Sequence, residues 1–147
     1  MVWVLWLIAL VTGATNPFQA GTNAELNKQS GLPVWTGLMV YATGFCGLLL
    51  VQAIFRPPVP TVGRMREIHW WAWMGGLISI APTLAGLALA QRLGSGVFTA
   101  LSISAAILMS VVIDQYGLIG FRQHVASPER ISGCALMILG VWLIVRS

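Results

Sequence analysis

The chain has 147 residues, of which 57% are hydrophobic and only 8% are charged. Soluble domains carry roughly a quarter of charged residues, so this composition excludes a soluble globular protein and indicates an integral membrane protein. The formal net charge of +4 is spread over several short segments without a basic block, so we expect the lipid bilayer as a partner and no nucleic acid.

Five charge-poor stretches follow one another along the chain, separated by short loops. Because a bilayer core of about 30 Å requires roughly 20 apolar residues of helix, each stretch is predicted to cross the membrane. The first stretch lacks a basic region and a small-residue cleavage pattern, so we expect it to remain as a helix. The sequence thus predicts an all-α bundle of five membrane helices, forming a single membrane domain over residues 1–147, with helices at roughly 2–25, 33–55, 68–91, 96–116 and 130–146.

The segment GATNPFQAGTNAELNKQSG, residues 13–31, is rich in amides although it begins inside the first apolar stretch. Its Asn-Pro pair and its glycines favour a loop that follows a short membrane anchor. At 100° per residue, however, an arc of about 60° on one helix face holds four polar side chains, those of Thr12, Asn16, Gln19 and Asn23. We therefore favour a helix that continues to about Asn23 or further, kinked at Pro17. Its polar face then turns away from lipid, toward other helices or a water-filled cavity.

The predicted fourth helix carries a face of small and polar residues that ends with Ser110, Asp114 and Gly117. Asp114 is the one acidic residue of the sequence near a membrane interior, where carboxylates are costly and commonly serve proton relays or cation recognition. A structural role is the alternative, because a carboxylate at a helix end can accept backbone hydrogen bonds or pair with Arg122. With the amide face included, the candidate substrate-pathway residues are Thr12, Asn16, Gln19, Asn23, Ser110 and Asp114.

Sixteen glycines in so apolar a chain indicate close helix–helix approach, since small residues let helix backbones meet where lipid gives no hydrophobic drive for association. Tyr41 lies on such a face of the second helix, and Ser79 and Thr83 lie on one of the third. The predicted packing positions are Gly37, Gly44, Gly75, Gly76, Gly86, Gly117, Gly133 and Gly140. Tryptophan and terminal arginine are typical of the membrane–water interface, and the predicted anchors are Trp35, Trp70, Trp71, Trp73 and Arg146.

The distribution of lysine and arginine gives a weak preference for one orientation. With the N-terminus inside, five of these residues lie in the cytoplasmic loops and three lie outside, which favours N-in/C-out. So small a margin leaves room for insertion in both orientations, and five helices are few to enclose a pathway. We expect an obligate pair, formed either with an inverted copy as an antiparallel homodimer or with a homologous subunit.

The sequence contains none of the common catalytic or nucleotide-binding motifs. There is no Gly-x-x-x-x-Gly-Lys-Ser/Thr, no His-x-x-Glu-His and no Gly-x-Ser-x-Gly. Cys46 and Cys134 lie in apolar runs without CxxC spacing, which indicates small buried hydrophobic residues. We expect no enzymatic activity, no cofactor, no metal site and no disulfide.

Five segments carry a family resemblance that extends along nearly the whole chain: QAGTNAELNKQSGLPVWTGLMVYATGFCGLL, WWAWMGGLIS, QRLGSGVFTAL, SVVIDQYGLIGF and RISGCALMILGVWLI. They resemble the YdcZ-type inner-membrane exporters of the bacterial drug/metabolite transporter superfamily. The resemblance implies five helices per chain, equivalent to half of an inverted-repeat transporter. It also implies a place in the bacterial inner membrane and secondary transport of a small molecule whose identity it leaves open.

One position departs from the family pattern. Members usually carry Gly-Gln one turn before the serine of the fourth helix, where this chain has Ala105-Ala106. The leading interpretation is an exporter of small polar or amphipathic metabolites that works as a pair of five-helix units. The alternative is a non-transporting scaffold or accessory subunit of a heteromeric partner, and solute flux through the isolated chain would discriminate between them.

Overall fold

The computed structural model describes residues 2–146, and within that range the chain forms helices and turns but no strands. Five of its helical segments are long and apolar enough to cross a membrane. This confirms the predicted all-α architecture of five membrane helices. The spans are Val2–Ser30 (α1), Pro33–Phe55 (α2), Trp70–Leu93, Ser95–Tyr116 (α6) and Pro128–Arg146 (α7).

Helix α1 is continuous through Pro17 and the amide-rich segment. The loop interpretation of this segment is therefore wrong, and the helical interpretation is confirmed. The helix extends to Ser30 rather than ending near residue 25. It stops there because Gly31 adopts a left-handed φ of 68° and donates its N–H to the Asn27 carbonyl, at 2.9 Å, while the proline that follows Leu32 disfavours further helix.

The connection between α2 and the third span contains a short helix that the sequence did not indicate. Helix α2 ends where Arg56 adopts a left-handed conformation and donates its N–H to the Gln52 carbonyl. Three prolines in residues 57–60 then keep the chain extended until Val62–Glu67 (α3). This six-residue helix carries Arg64 and Arg66.

The third span is interrupted, whereas one helix over 68–91 was expected. It begins as a 3-10 helix, Trp70–Met74, continues as Gly75–Ile78 (α4), and resumes as Ile80–Leu93 (α5) after Ser79. Pro82 explains the break, because its missing N–H leaves the carbonyl four residues earlier without its helical donor. The break is confined to Ser79, because the Ser79 N–H still donates to the Gly75 carbonyl at 3.1 Å and the Ser79 carbonyl still accepts from the Thr83 N–H at 3.2 Å.

Helices α6 and α7 pack against each other and are joined by a folded loop. Gly94, with a φ of 83°, separates α5 from α6, and Gly117, with a φ of 60°, ends α6 before a 3-10 turn at Leu118–Gly120. Helix α7 starts after Ser127, whose Oγ accepts a hydrogen bond from the Arg130 N–H at 3.3 Å.

The chain divides into two compact units, which we name by position. The central unit is Gln19–Leu89, and the terminal unit comprises residues up to Phe18 together with those from Ala90 onward. No more than 6% of the apolar window of any described span is buried inside the chain, so most apolar side chains are left to lipid or to a partner. Cys46, expected to be buried, is exposed on α2, and Cys134 is half-buried.

Candidate functional site

A groove of about 700 Å³ lies in the central unit, a size typical of small-molecule sites. It combines one amide and three hydroxyl groups with aromatic and aliphatic side chains. None of its eight described lining residues is charged. We call it the Tyr41 groove, and it is lined by Gln19, Val40, Tyr41, Gly44, Phe45, Leu48, Ser79 and Thr83.

Three hydroxyl groups meet on one wall of the groove and form what we call the hydroxyl cluster. The Tyr41 Oη lies 2.8 Å from the Ser79 Oγ and 2.9 Å from the Thr83 Oγ1. The Ser79 hydroxyl also lies 2.7 Å from the Gly76 carbonyl, and the Thr83 hydroxyl lies 2.8 Å from the Ser79 carbonyl. The cluster joins α2 to the two parts of the interrupted third span.

Local helix geometry explains why these residues share a wall. Tyr41, Phe45 and Leu48 are spaced by four and three residues, so α2 presents them on one face. Gly44 stands on the same face, and a Cβ added there would meet no described atom within 4 Å. Ser79 and Thr83 are one helical turn apart across the break, so both reach Tyr41. The missing side chain at Gly44 keeps the groove open.

The predicted amide face does not enter the groove as a whole. Among its four residues, Gln19 is the one in the described groove lining, and Asn23 is half-buried elsewhere in the central unit. Thr12 and Asn16 belong to the terminal unit and are exposed, and the Thr12 hydroxyl donates to the Ile8 carbonyl of its own helix. The grouping of all four along one pathway remains a prediction.

Asp114 forms an ion pair with Arg130, at the first turn of α7, and not with Arg122, which the structural alternative had offered as a partner. The two side chains are 22% and 36% exposed, respectively, so the pair is partly buried. Each charge lies at the unfavourable end of its helix dipole, the carboxylate near the C-terminus of α6 and the guanidinium near the N-terminus of α7. Ser110, one turn earlier, is exposed and donates to the Ile107 carbonyl at 2.8 Å.

The loop after α6 is held in place by hydrogen bonds to the end of that helix. The Ala126 N–H donates to the Gln115 Oε1 at 2.7 Å, and the Gln123 amide donates to the Gln115 carbonyl at 2.9 Å. The His124 N–H donates to the Asp114 carbonyl at 2.8 Å. This folded loop brings α7 back against α6 and places Arg130 next to Asp114. The geometry therefore indicates that the ion pair stabilises the contact between the two helices.

A second polar contact region lies at the α1–α2 turn, and sequence reasoning missed it. The Asn27 side-chain amide donates to the Leu87 carbonyl at 3.1 Å, and its Oδ1 is buried with no hydrogen-bond partner among residues 2–146. The Ser30 and Thr36 hydroxyls lie 2.7 Å apart, and Thr36 is completely buried. These bonds join α1 to α2 and α5.

The comparison with protein families decides the identity of the chain. The family model described as "Putative inner membrane exporter, YdcZ" matches residues 4–143. This chain belongs to the YdcZ family. It is therefore a multi-pass protein of the inner membrane, and its family indicates a transporter rather than an enzyme. Neither the comparison with curated proteins nor that with solved structures finds a match.

In this YdcZ-family chain, the predicted packing glycines occupy different surroundings. A Cβ at Gly37, which is buried, would lie 3.3 Å from the Leu84 Cδ2, so this glycine permits close approach of α2 and α5. Gly117 serves a left-handed turn, with the Gln123 Cβ at 3.3 Å from an added Cβ. Gly86 is half-buried. At five other positions an added Cβ would meet no described atom within 4 Å: Gly44, Gly75, Gly76, Gly133 and Gly140.

The predicted interface anchors of this YdcZ-family chain lie at the ends of spans and are solvent-accessible. Trp70, Trp71 and Trp73 are exposed on the 3-10 helix that opens the third span, and Trp35 is exposed in the first turn of α2. The Arg146 guanidinium lies over the Trp142 ring, 5.0 Å from its centroid, a cation–π contact at the end of α7. Their placement at the membrane surface remains a prediction.

Proposed function

We propose that this YdcZ-family protein exports small polar or amphipathic metabolites through the Tyr41 groove. The observation that carries the proposal is a cavity of small-molecule size, lined by an amide and a hydroxyl cluster, at the point where a membrane span is interrupted. Gln19, Tyr41, Ser79 and Thr83 would bind polar groups of the solute. Phe45 and Leu48 would contact its apolar part.

Membrane physics supports a functional role for the break at Ser79. Irregular backbone within a bilayer is tolerated where it lines a cavity or is buried in protein, because lipid offers no hydrogen-bond partners. Secondary transporters build solute sites at discontinuous helices. The interruption here is shorter, a single residue that keeps right-handed helical dihedrals, and it lies beside the groove. The hydroxyl cluster lies at this break, with Ser79 between α4 and α5.

Pairing forms the second part of the proposal. Most apolar residues of the described spans are unburied within the chain, and several glycine faces meet nothing there. A second five-helix unit, either an inverted copy or a homologous subunit, would cover these faces and close the groove. The single membrane domain would be inserted with a weak preference for N-in/C-out.

Asp114 takes a structural role in this proposal. Its carboxylate already has Arg130 as a charge partner, and the backbone next to it is occupied by the loop. Such a pair stabilises the α6–α7 contact, and moving protons through it would require breaking the pair first. The proposal therefore assigns solute binding to the central unit and assembly of α6 with α7 to Asp114.

An accessory subunit is the competing function, and the open glycine faces favour it. A scaffold would use Gly133 and Gly140 of α7 to bind a partner, through close backbone approach. It would carry no solute by itself. The two functions therefore differ in the behaviour of the purified chain.

Efflux from liposomes tests the proposal. The purified full chain is reconstituted alone into vesicles loaded with a defined mixture of neutral, zwitterionic and charged small molecules, and released solutes are identified by mass spectrometry. Gly44→Leu fills the groove, and Gly47→Leu is the matched control, because its Cβ also meets no described atom and it does not line the groove.

The expected result is release of at least one solute by the wild type and by Gly47→Leu. Release by Gly44→Leu should be slower by about tenfold, which corresponds to about 1.4 kcal/mol and lies within the range of about 1–3 kcal/mol for crowding in a packed site. Equal release by both variants would contradict the groove as the pathway. Silence of the wild-type chain, restored by a co-expressed homologue, would support the accessory function instead.

A further inference from the structure

The hydroxyl cluster contains more short oxygen–oxygen contacts than hydrogens to fill them. Tyr41, Ser79 and Thr83 each carry one hydroxyl hydrogen. Four oxygen–oxygen contacts of 2.7–2.9 Å share these three hydrogens. Two of the contacts lie within the third span, and the other two involve the Tyr41 hydroxyl. Since the two carbonyl oxygens bring no hydrogen, at least one contact always lacks a proton.

Whenever three of the four contacts are hydrogen bonds, all three hydroxyl hydrogens are used inside the cluster. Ser79 and Thr83 can donate to their carbonyls while Tyr41 donates to one of them, or the hydroxyls can form a chain through Tyr41. In each case all three hydrogens are used inside the cluster, and unused oxygen lone pairs remain. The cluster can therefore accept a further hydrogen bond at no internal cost, whereas donating one would require the loss of an existing bond.

The absence of charge in the groove also restricts which solutes can bind there. The eight described lining residues of the Tyr41 groove include no aspartate, glutamate, lysine, arginine or histidine. A charged solute in this groove would lose its hydration without gaining an opposite charge, which disfavours its binding. The Gln19 amide both donates and accepts, so it does not discriminate between solutes. Phe45 and Leu48 suit an apolar solute body.

We infer that the Tyr41 groove selects uncharged amphipathic solutes that donate a hydrogen bond, through a hydroxyl or N–H group, to the hydroxyl cluster. This inference rests on the proposed function, since it names the solute class of the same groove. A solute that carries a hydrogen-bond donor should bind roughly fivefold more tightly than the same solute without the donor, a difference that corresponds to one net hydrogen bond.

Two probes that differ in the donor test this inference: 2-naphthol, which has a hydroxyl, and 2-methoxynaphthalene, which can only accept. Binding of each to the full chain in lipid nanodiscs is measured by equilibrium dialysis, with empty nanodiscs subtracted. The double variant Ser79→Ala/Thr83→Val frees the Tyr41 hydrogen for donation. Tyr41→Phe leaves the remaining two hydrogens on their carbonyls, so it should retain the preference.

The wild type is expected to bind 2-naphthol roughly fivefold more tightly than 2-methoxynaphthalene. In the double variant, binding of 2-methoxynaphthalene should rise and the ratio should approach one, while Tyr41→Phe keeps the wild-type order. Equal binding of both probes by the wild type would overturn the inference. An unchanged ratio in the double variant, or no binding of either probe, would overturn it too.

The Gly44→Leu variant separates failure of the inference from failure of the proposed function. If both probes bind equally and Gly44→Leu weakens both, the groove holds solutes and only the solute class is wrong. If neither probe binds while efflux from liposomes still depends on Gly44, export through the groove again stands without the donor preference. If efflux from liposomes does not depend on Gly44, the proposed function itself is wrong.

Discussion

Replacing Asp114 with asparagine is expected to destabilise the contact between α6 and α7 while leaving solute efflux per folded molecule unchanged. The substitution keeps the size of the side chain and removes its charge. Arg130 then remains partly buried at the N-terminus of α7, where the helix dipole disfavours a cation. The reverse substitution, Arg130→Gln, leaves Asp114 at the unfavourable C-terminus of α6.

The burial of the pair sets the size of the effect. Exposed ion pairs contribute about 0.2–1 kcal/mol, and removing one partner of a fully buried pair costs about 3–5 kcal/mol. With side-chain exposures of 22% and 36%, this pair lies between these limits. We expect each single variant to lose about 1–2 kcal/mol of unfolding free energy. The double variant should be no less stable than either single one, because no unpaired charge remains.

A double-mutant cycle measures this coupling. The unfolding free energies of the wild type, both single variants and the double variant are obtained by denaturant titration in lipid-containing micelles, and efflux is normalised to folded protein. The cycle of Asp114→Asn with Arg122→Gln is the control and should show no coupling. Additive effects in the Asp114–Arg130 cycle would refute the structural role. Normal stability with lost efflux in Asp114→Asn would assign the carboxylate to transport.

Gly37→Leu should lower the unfolding free energy by about 1–3 kcal/mol more than Gly47→Leu, because Gly37 is buried with the Leu84 methyl group nearby whereas Gly47 faces open space. Denaturant titration of both variants measures the difference, and equal stabilities would exclude close packing at Gly37. For topology, a Thr61→Cys variant in a background without the two native cysteines should react with an impermeant maleimide in only a fraction of molecules in intact cells, as expected for an inverted pair. Uniform one-sided labelling, with no homologue co-purifying, would contradict the inverted homodimer.

Local periodicity was sufficient to predict the helical state of the amide segment. Four polar residues kept the helical register across Asn16-Pro17, and α1 indeed continues to Ser30. Charge-poor stretches also located the five spans, because hydrocarbon thickness fixes their length. The break at Ser79 was not predicted, although its cause is local: Pro82 has no N–H to donate to the carbonyl four residues earlier.

Contacts between distant residues could not be predicted from spacing. Tyr41, Ser79 and Thr83 were assigned to packing faces, because periodicity tells which residues share a face and not which faces meet. Their contacts join residues up to 42 positions apart. Similarly, Arg122 is nearer to Asp114 in sequence than Arg130, but the left-handed turn at Gly117 redirects the loop and brings Arg130 to the carboxylate.

The central claim is that the Tyr41 groove is the route of the solute. The ratio of initial efflux rates of Gly44→Leu and Gly47→Leu, in liposomes containing equal amounts of folded protein, tests it most directly. Our account predicts a ratio of about one-tenth, since only the first leucine occupies the groove. A ratio near one, with both variants as active as the wild type, would show that solutes pass elsewhere.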